Sequence, residues 1–447
     1  MLEELALELA SGRTTSRALV EECLARATED AGEGARVFTH LDSESARLTA
    51  DAMDQLRKAG TPLSRYAGIP VSIKDLFDIE GQVTCAGSVV LRDAPPASAD
   101  ATAVARLRRA GFVVIGRTNM TEFAYSGLGI NPHYGTPRNP WRRDEGHVPG
   151  GSSSGAAISV TDGMAHAALG TDTGGSCRIP AAFTGLVGFK PTARRVSLRG
   201  ALPLSSHLDS IGPIARTVSC CAIMDAILSD ASITPLSPRN IDGLRLAVPV
   251  GVALNDLDDG VASAFDAALH RMAAKGVRID RVPFPEFDEV ATINSKGGFT
   301  AAESYAWHRR LLAKQRDSYD PRVSIRIERG TEQNAADYID LLAARASLIE
   351  RATQRIAPYD AIVLPTVALT PPRISDLESD EAYGRANLLA LRNCTLINMM
   401  DGCAISLPIH KPGEAPVGMM LAGAAGADCD VLSIAASLEA VVAQRAG

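Results

Sequence analysis

The hydroxyl of Ser176 stands in a bare stretch of chain. In GTDTGGSCRIP, residues 170–180, two glycines precede it, Asp172 lies four positions before it and Arg178 two after. A similar run, PGGSSSG at 149–155, lies upstream, with 24 positions from Ser152 to Ser176. A nucleophilic serine needs a base to take its proton, donors for an oxyanion, and room for a carbonyl. Glycine backbone answers the last two needs, because it turns sharply and can aim successive N–H groups at one spot. By itself TGGS also reads as a tight turn.

The base is less obvious. His133, His147, His166 and His207 are scattered, and none has a triad context. A lysine can serve if burial makes it neutral. A free lysine titrates near pH 10.4, which leaves about one part in a thousand neutral at physiological pH. Desolvation can lower that value by about 3 to 5 units. Lys74 ends the alternating segment IPVSIK, with Val71 and Ile73 on one side and Ser72 and Lys74 on the other. Such a strand is too apolar to lie wholly at the surface. Taken singly, Lys74 also reads as a solvated surface group.

Other chemistries fail on spacing. There is no H-E-x-x-H, no S-x-x-K and no G-x-x-x-x-G-K-[ST]. Gly151–Gly155 satisfies G-x-S-x-G, which would make Ser153 an elbow nucleophile. That elbow needs a strand directly before it, and RRDEGHVPG is polar and broken by Pro149 and Gly150. The elbow reading is set aside.

Taken together, Lys74 in PVSIKD, GGSSSG from 150 and GTDTGGSCRIPAA from 170 resemble the amidase signature family. Asp172, Gly174, Ser176, Arg178 and Pro180 all fall in the Asp-x-Gly-x-Ser-x-Arg-x-Pro pattern. The likeness continues in GRTNMTEFA, NPHYGTPRNPW, GLVGFKPT, LDSIGPIARTV, YDAIVLPT and PVGMMLAG, and so covers most of the chain. The resemblance implies Ser176 as nucleophile, Ser152 as a bridging serine after a cis peptide bond, and Lys74 as the base relaying through Ser152. It implies oxyanion donors among the amides of Thr173, Gly174, Gly175 and Ser176. Ser153, Asp172 and Arg178 support the loops, the last two as a buried pair. Three positions depart from the pattern: Cys177 where an aliphatic residue is usual, Ser154 for glycine, and His147 for arginine. Cys177 reads as a small buried replacement rather than a second nucleophile, and His147 puts the support of Ser152 in question.

The implied reaction is hydrolysis of a small aryl or aliphatic carboxamide to a carboxylate plus ammonia or amine, through a serine acyl-enzyme. No cofactor and no metal are called for. Tyr125, Ser126 and Gly127, with the segment 285–345 that holds Tyr305, Trp307 and His308, are expected to shape the substrate pocket. The rival reading is the glutaminase subunit of a tRNA-dependent amidotransferase, which would need protein partners; EFAYSGLGINPHYG resembles free-standing amidases more closely.

The elements that must position these residues alternate between helix and strand. Apolar spacing gives a helix over Thr14 to Glu29, a short alternating strand in IPVSIKDLFDIEG at 69–81, a helix over Ala101 to Ala110 closed by Gly111, and a strand at VVIG, 113–116. VASAFDAALHRMAAKG precedes the strand VRIDRV, a helix over 335–357 precedes YDAIVLP, and CAISLPI, PVGMMLAG and a helix from Asp428 close the chain. The alternation predicts an α/β fold. The resemblance adds a single α/β/α domain, 1–447, with a mixed, twisted sheet. The catalytic motifs occupy about 60–220, and about 240–447 completes the sheet and pocket. The Pro-containing stretch 229–243 reads as a long connection within that domain.

Composition is that of an ordinary globular chain. Of 447 residues 46% are hydrophobic and 22% charged, and the net charge of −7 comes without a basic cluster, which argues against nucleic-acid binding. No apolar run of about 18 residues suggests a membrane span. The acidic start, MLEELALELASG, has the wrong charge for a signal peptide. The eight cysteines, irregularly spaced and without C-x-x-C, then read as reduced cytoplasmic thiols. A homodimer is the oligomeric state this reading entertains.

Overall fold

A computed structural model describes residues 1–443 except Pro235. The expected domain bounds, 1–447, and the connection at 229–243 therefore run partly outside the described residues. Eleven strands form one sheet: β1 (Phe38–Leu41), β2 (Pro70–Lys74), β3 (Val113–Thr118), β4 (Ala167–Asp172), β5 (Val187–Lys190), β6 (Ser210–Ala215), β7 (Arg245–Val250), β8 (Arg278–Pro283), β9 (Ala361–Pro365), β10 (Cys403–Pro408) and β11 (Gly418–Gly423). Their order is β1-β3-β2-β4-β6-β5-β10-β11-β9-β7-β8. Strands β3, β2 and β4 run parallel, as do β9, β7 and β8, while the pairings from β4 through β6, β5, β10 and β11 to β9 are antiparallel. The sheet is mixed, and with its helices makes one α/β domain.

Period-two alternation builds a core on each face of this sheet. In β9, Ala361 and Val363 enter one apolar cluster, and Ile362 and Leu364 enter the other. The same split holds in β11, where Met419 and Leu421 face one core and Met420 and Ala422 the other. Strands covered on both sides are mostly apolar along their whole length. β2, β4, β6, β9 and β11 are buried throughout, whereas β8, at the sheet edge, exposes Arg278, Asp280 and Arg281. Charged side chains on such an edge discourage pairing with another chain.

Helix ends follow local chemistry. The first long amphipathic segment is helical over Ser16–Ala27, with the Thr15 side chain accepting from the Ala18 N–H. Asn334 and Asp337 form a reciprocal capping box that starts the helix Ala335–Ile356. Among the described residues, no helix is long and apolar enough to cross a membrane.

The sheet topology places the candidate residues. β2 and β4 are parallel neighbours, with Ile73 opposite Leu169. Their carboxyl ends, Lys74 and Asp172, therefore emerge on the same side, where open α/β sheets bind ligands. The helix Ser154–Thr161 and the helix Arg178–Thr184, each starting beside a glycine-serine run, pack against one another and against β4 and β5.

Candidate active site

Lys74, at the end of a strand buried on both faces, has no solvent exposure. Its Nζ lies 2.7 Å from Ser152 Oγ and 2.8 Å from Thr171 Oγ1. Burial pushes its pKa down to about 7, against the raising influence of Cys177, Asp172 and Asp209. A large fraction of this amine is thus neutral near pH 7, and its lone pair has a hydroxyl within reach. The Gly151–Ser152 peptide bond is cis. Ser152 is fully buried, its carbonyl accepts from the Thr121 and Ser154 N–H groups at 3.1 and 2.9 Å, and the Gly151 N–H donates to the Gly127 carbonyl at 2.8 Å.

Ser176 follows β4 by four residues and lines a cavity of about 430 Å³. Its loop is held by Asp172. The two Asp172 oxygens accept from Arg178 Nη2 at 2.8 Å and Nε at 3.0 Å, from the Gly175 N–H at 2.8 Å, the Cys177 N–H at 3.1 Å and Asn398 Nδ2 at 3.0 Å. Burial pushes the Asp172 carboxyl up, but the Arg178 charge and hydrogen bonds, helped by Lys190 and Asn398, hold it well below the usual carboxylate range. The pair is completely enclosed and fully hydrogen-bonded, the condition under which a buried ion pair is tolerated. Gly175 has φ 129°, and a Cβ there would lie 2.5 Å from Ile179 Cδ1 and 2.6 Å from Cys394 Cβ. Only glycine fits.

The site corrects the expected donor set in one place. Because the Gly175 N–H is already bound to Asp172, it is not free for an oxyanion. Thr173, Gly174 and Ser176 border the cavity. The Thr173 hydroxyl donates to Asp209 Oδ1 at 2.5 Å, and Asp209 Oδ2 accepts from the N–H groups of Leu204 and Ser205 at 3.0 and 3.1 Å. Burial pushes the Asp209 pKa up to about 6, despite these hydrogen bonds.

The neighbouring serines and the variant positions take other partners. Ser153 Oγ donates to the Thr171 carbonyl at 3.4 Å, and the backbone before Gly151 is irregular, so Ser153 is no elbow nucleophile. The Cys177 thiol is buried against the Gly212 carbonyl, 3.5 Å away, and burial pushes its pKa far up. His147 is tied to the Pro371 carbonyl at 2.7 Å, so it anchors a C-terminal loop rather than Ser152.

The pocket residues are only partly those expected. Tyr125 and Ser126 line the cavity, but Gly127 does not; its carbonyl holds Gly151 and its N–H donates to Asn387. Tyr305, Trp307 and His308 also lie away from it. Trp307 and His308 pack with Phe123, and His308 bonds the Tyr319 hydroxyl at 3.0 Å. The same helix, Gly298–Gln315, contributes Phe299, Thr300 and Ala301 instead, because its N-terminal turn faces the cavity. Sequence reading missed Thr171, Asp209 and Asn398, and missed the helix Asp380–Met399, which brings Leu391, Arg392 and Thr395 to the wall. Asp209 lies within the LDSIGPIARTV motif, and that was the available signal. Among the described residues, no cluster of His, Cys, Asp or Glu is arranged to hold a metal, and all eight cysteines are free thiols.

Comparison with known proteins supplies the family. Residues 18–432 match the Amidase family, to which the chain belongs. It is 36% identical to 2-amino-5-chloromuconic acid deaminase of Comamonas testosteroni, over 99% of this chain and 96% of that protein. It is 33% identical to the A subunit of the Glutamyl-tRNA(Gln) amidotransferase of Symbiobacterium thermophilum, over 95% and 93%. A crystal structure of an amidase superposes with a TM-score of 0.90 at 34% identity, covering 99% of this chain and all of that one. The chain is an amidohydrolase acting on carboxamide C–N bonds.

Proposed function

We propose that the enzyme cleaves a small carboxamide through an acyl-enzyme on Ser176, with Lys74 as base and Ser152 as proton relay. The observation that carries this is the enclosed Lys74 amine, 2.7 Å from Ser152 Oγ and depressed to about pKa 7 by burial. The neutral amine takes the Ser152 proton as Ser152 takes that of Ser176. Ser176 Oγ bonds to the carbonyl carbon, and the amides of Thr173, Gly174 and Ser176 are the donors available to the developing oxyanion. Ser152 then returns a proton to the leaving nitrogen, the C–N bond breaks, and water releases the acid by the reverse path. Asp172 and Arg178 position the loop and take no part in proton transfer.

The reading extends to a cytoplasmic enzyme, working as a homodimer on a small-molecule amide, with no nucleic-acid or membrane partner. One domain serves, its segment 60–220 supplying the chemistry and 240–447 completing sheet and pocket. A second reading, the glutaminase subunit of a tRNA-dependent amidotransferase, is favoured by the identity to the Symbiobacterium protein. A fluorophosphonate should label one peptide of the purified chain, the one with Ser176, and Cys177→Ala should still be labelled. Small amides should be hydrolysed by the chain alone. Labelling on Ser153, or glutaminase activity seen only with tRNA and partner subunits, would count against the proposal.

A further inference from the structure

The cavity beside Ser176 has a lopsided charge. Among its described lining residues the only charged side chains are Arg326, Arg329 and Arg392, and none of the liners is acidic. The rest are apolar or neutral, from Leu204 and Leu208 to Phe287, Phe299 and Leu391. The chain as a whole carries −7, so this patch reverses the sign of the molecule around it.

Among the described residues, none of the three forms an ion pair within 4.0 Å, although their neighbours do. Arg322, on the same helix as Arg326, pairs with Asp380, and Arg316 pairs with Glu328. The three instead donate to neutral oxygens. Arg326 Nη1 reaches the Tyr125 carbonyl at 2.7 Å, and Arg329 Nη2 the Ser295 carbonyl at 3.2 Å. Arg392 Nη2 reaches the Asn255 carbonyl at 2.7 Å, and its Nε the Asn393 side-chain oxygen at 3.1 Å. These contacts fix each fork and leave most of its five donors unspent. Burial lowers the pKa of Arg392, partly offset by the more distant Asp256. Arg326 and Arg392 are half-buried and Arg329 is exposed; a half-buried guanidinium with no carboxylate in contact is costly, and an anion in the cavity relieves that cost.

We infer that the enzyme selects amides whose acyl part carries a carboxylate, and that Arg326, Arg329 and Arg392 are the specificity-determining groups that receive it. The inference rests on the amidase reading of the same site. The cavity, at about 430 Å³, lies at the small end of the range for ligand sites of roughly 300–1,000 Å³, which suits the monoamide of a short dicarboxylic acid. Bidentate guanidinium contacts would fix the acid end and so leave the amide carbonyl to Ser176. The same field opposes a substrate with an ammonium group.

Three near-isosteric amides separate charge from shape: succinamate (−1), butyramide (0) and β-alaninamide (+1). For the purified full chain, kcat/KM should fall in that order, by about tenfold to a hundredfold from succinamate to butyramide, the worth of a charge-assisted hydrogen bond. Only the succinamate value should fall steeply as salt is raised. Arg329→Met and Arg392→Met should each lower succinamate turnover at least about tenfold more than butyramide turnover, and Arg392→Lys should recover part of it. Calorimetry with succinate gives a readout independent of turnover: it should bind the wild-type chain and be weakened by either Met variant, each shown folded by circular dichroism. Equal kcat/KM for succinamate and butyramide, or arginine variants that depress both alike, overturns the inference and leaves the amidase reading intact. Succinate binding lost with the arginines, in a chain that turns over none of the three amides, upholds the anion site and counts against the amidase reading.

Discussion

Lys74 Nζ sits 2.7 Å from Ser152 Oγ, and neither residue has any exposure to solvent. An amine enclosed in this way is available in its neutral form near pH 7, because burial disfavours the ammonium form. For the free enzyme, kcat/KM should therefore rise with pH through an apparent pKa near 7, where an exposed lysine would give a limb near 10.4. Lys74→Ala should lose several orders of magnitude of activity and remain folded. In Lys74→Glu the limb should move toward acid while the maximum rate falls. A wild-type pH profile in the Glu variant would make Lys74 a structural lysine.

The same depression should be visible in stability. The native lysine titrates near 7 and the unfolded one near 10.4, so between these values the unfolded chain binds more protons. Stability then rises with pH across this window, by up to about 1.4 kcal/mol per unit from this group, and is lost as pH falls toward 7. Lys74→Met abolishes that slope. The variant also leaves the Ser152 and Thr171 hydroxyls without their amine, so its absolute stability is less informative than its trend. In urea melts between pH 7 and 10, the stability of Lys74→Met relative to wild type should be greatest at pH 7 and decline steadily. A constant difference would show that Lys74 keeps an ordinary pKa when folded.

How much of this was legible beforehand differs by element. The catalytic candidates are legible through the joint resemblance of three motifs, since TGGS alone also reads as a turn and Lys74 alone as a surface lysine. Long helices were readable because periodicity persists: the expected helix at 335–357 is Ala335–Ile356. The strands β5 and β6 were quoted only as motifs, since VGFK is four residues long and SIGPIA is interrupted by Gly212 and Pro213. The pocket was legible only as a segment. Only the N-terminal turn of the helix Gly298–Gln315 reaches the cavity, so Phe299 lines it and Trp307 does not, and that placement is set by packing against elements distant in the chain. Nothing in the sequence singles out Arg326, Arg329 and Arg392, because a missing counter-charge is a tertiary property.

Gly175 gives a steric test of the oxyanion loop. Its φ of 129° is strained for any residue with a Cβ, and the added carbon would meet Ile179 and Cys394. Gly175→Ala has to move the loop, and with it Ser176 and the amide held by Asp172. Loss of a single oxyanion donor costs about 100- to 1,000-fold in kcat, so a shift of this loop should cost at least as much. Folding should survive, as judged by circular dichroism. A variant with near wild-type kcat would mean that the donors lie elsewhere.

Asp172 and Arg178 supply the last test, because the pair is both enclosed and wired to the loop amides. Removing Arg178 leaves a buried carboxylate held by Asn398, Lys190 and two backbone N–H groups, without its full counter-charge. Breaking a buried pair on one side costs about 3–5 kcal/mol, whereas replacing both partners costs far less than the sum. Arg178→Met and Asp172→Asn should each be strongly destabilising, and the double variant should recover a substantial part of the loss. The pH dependence has a definite sign. The folded Asp172 pKa lies below its unfolded value near 3.9, so its contribution is present above about pH 4 and is lost as pH falls through the folded value. In Arg178→Met the burial effect is no longer outweighed, the carboxyl is pushed up, and acid unfolding should begin at higher pH. Urea melts from pH 3 to 8 on the four proteins of the cycle measure both effects. Additive losses together with an unmoved acid transition would mean that the loop is held by packing and not by this pair.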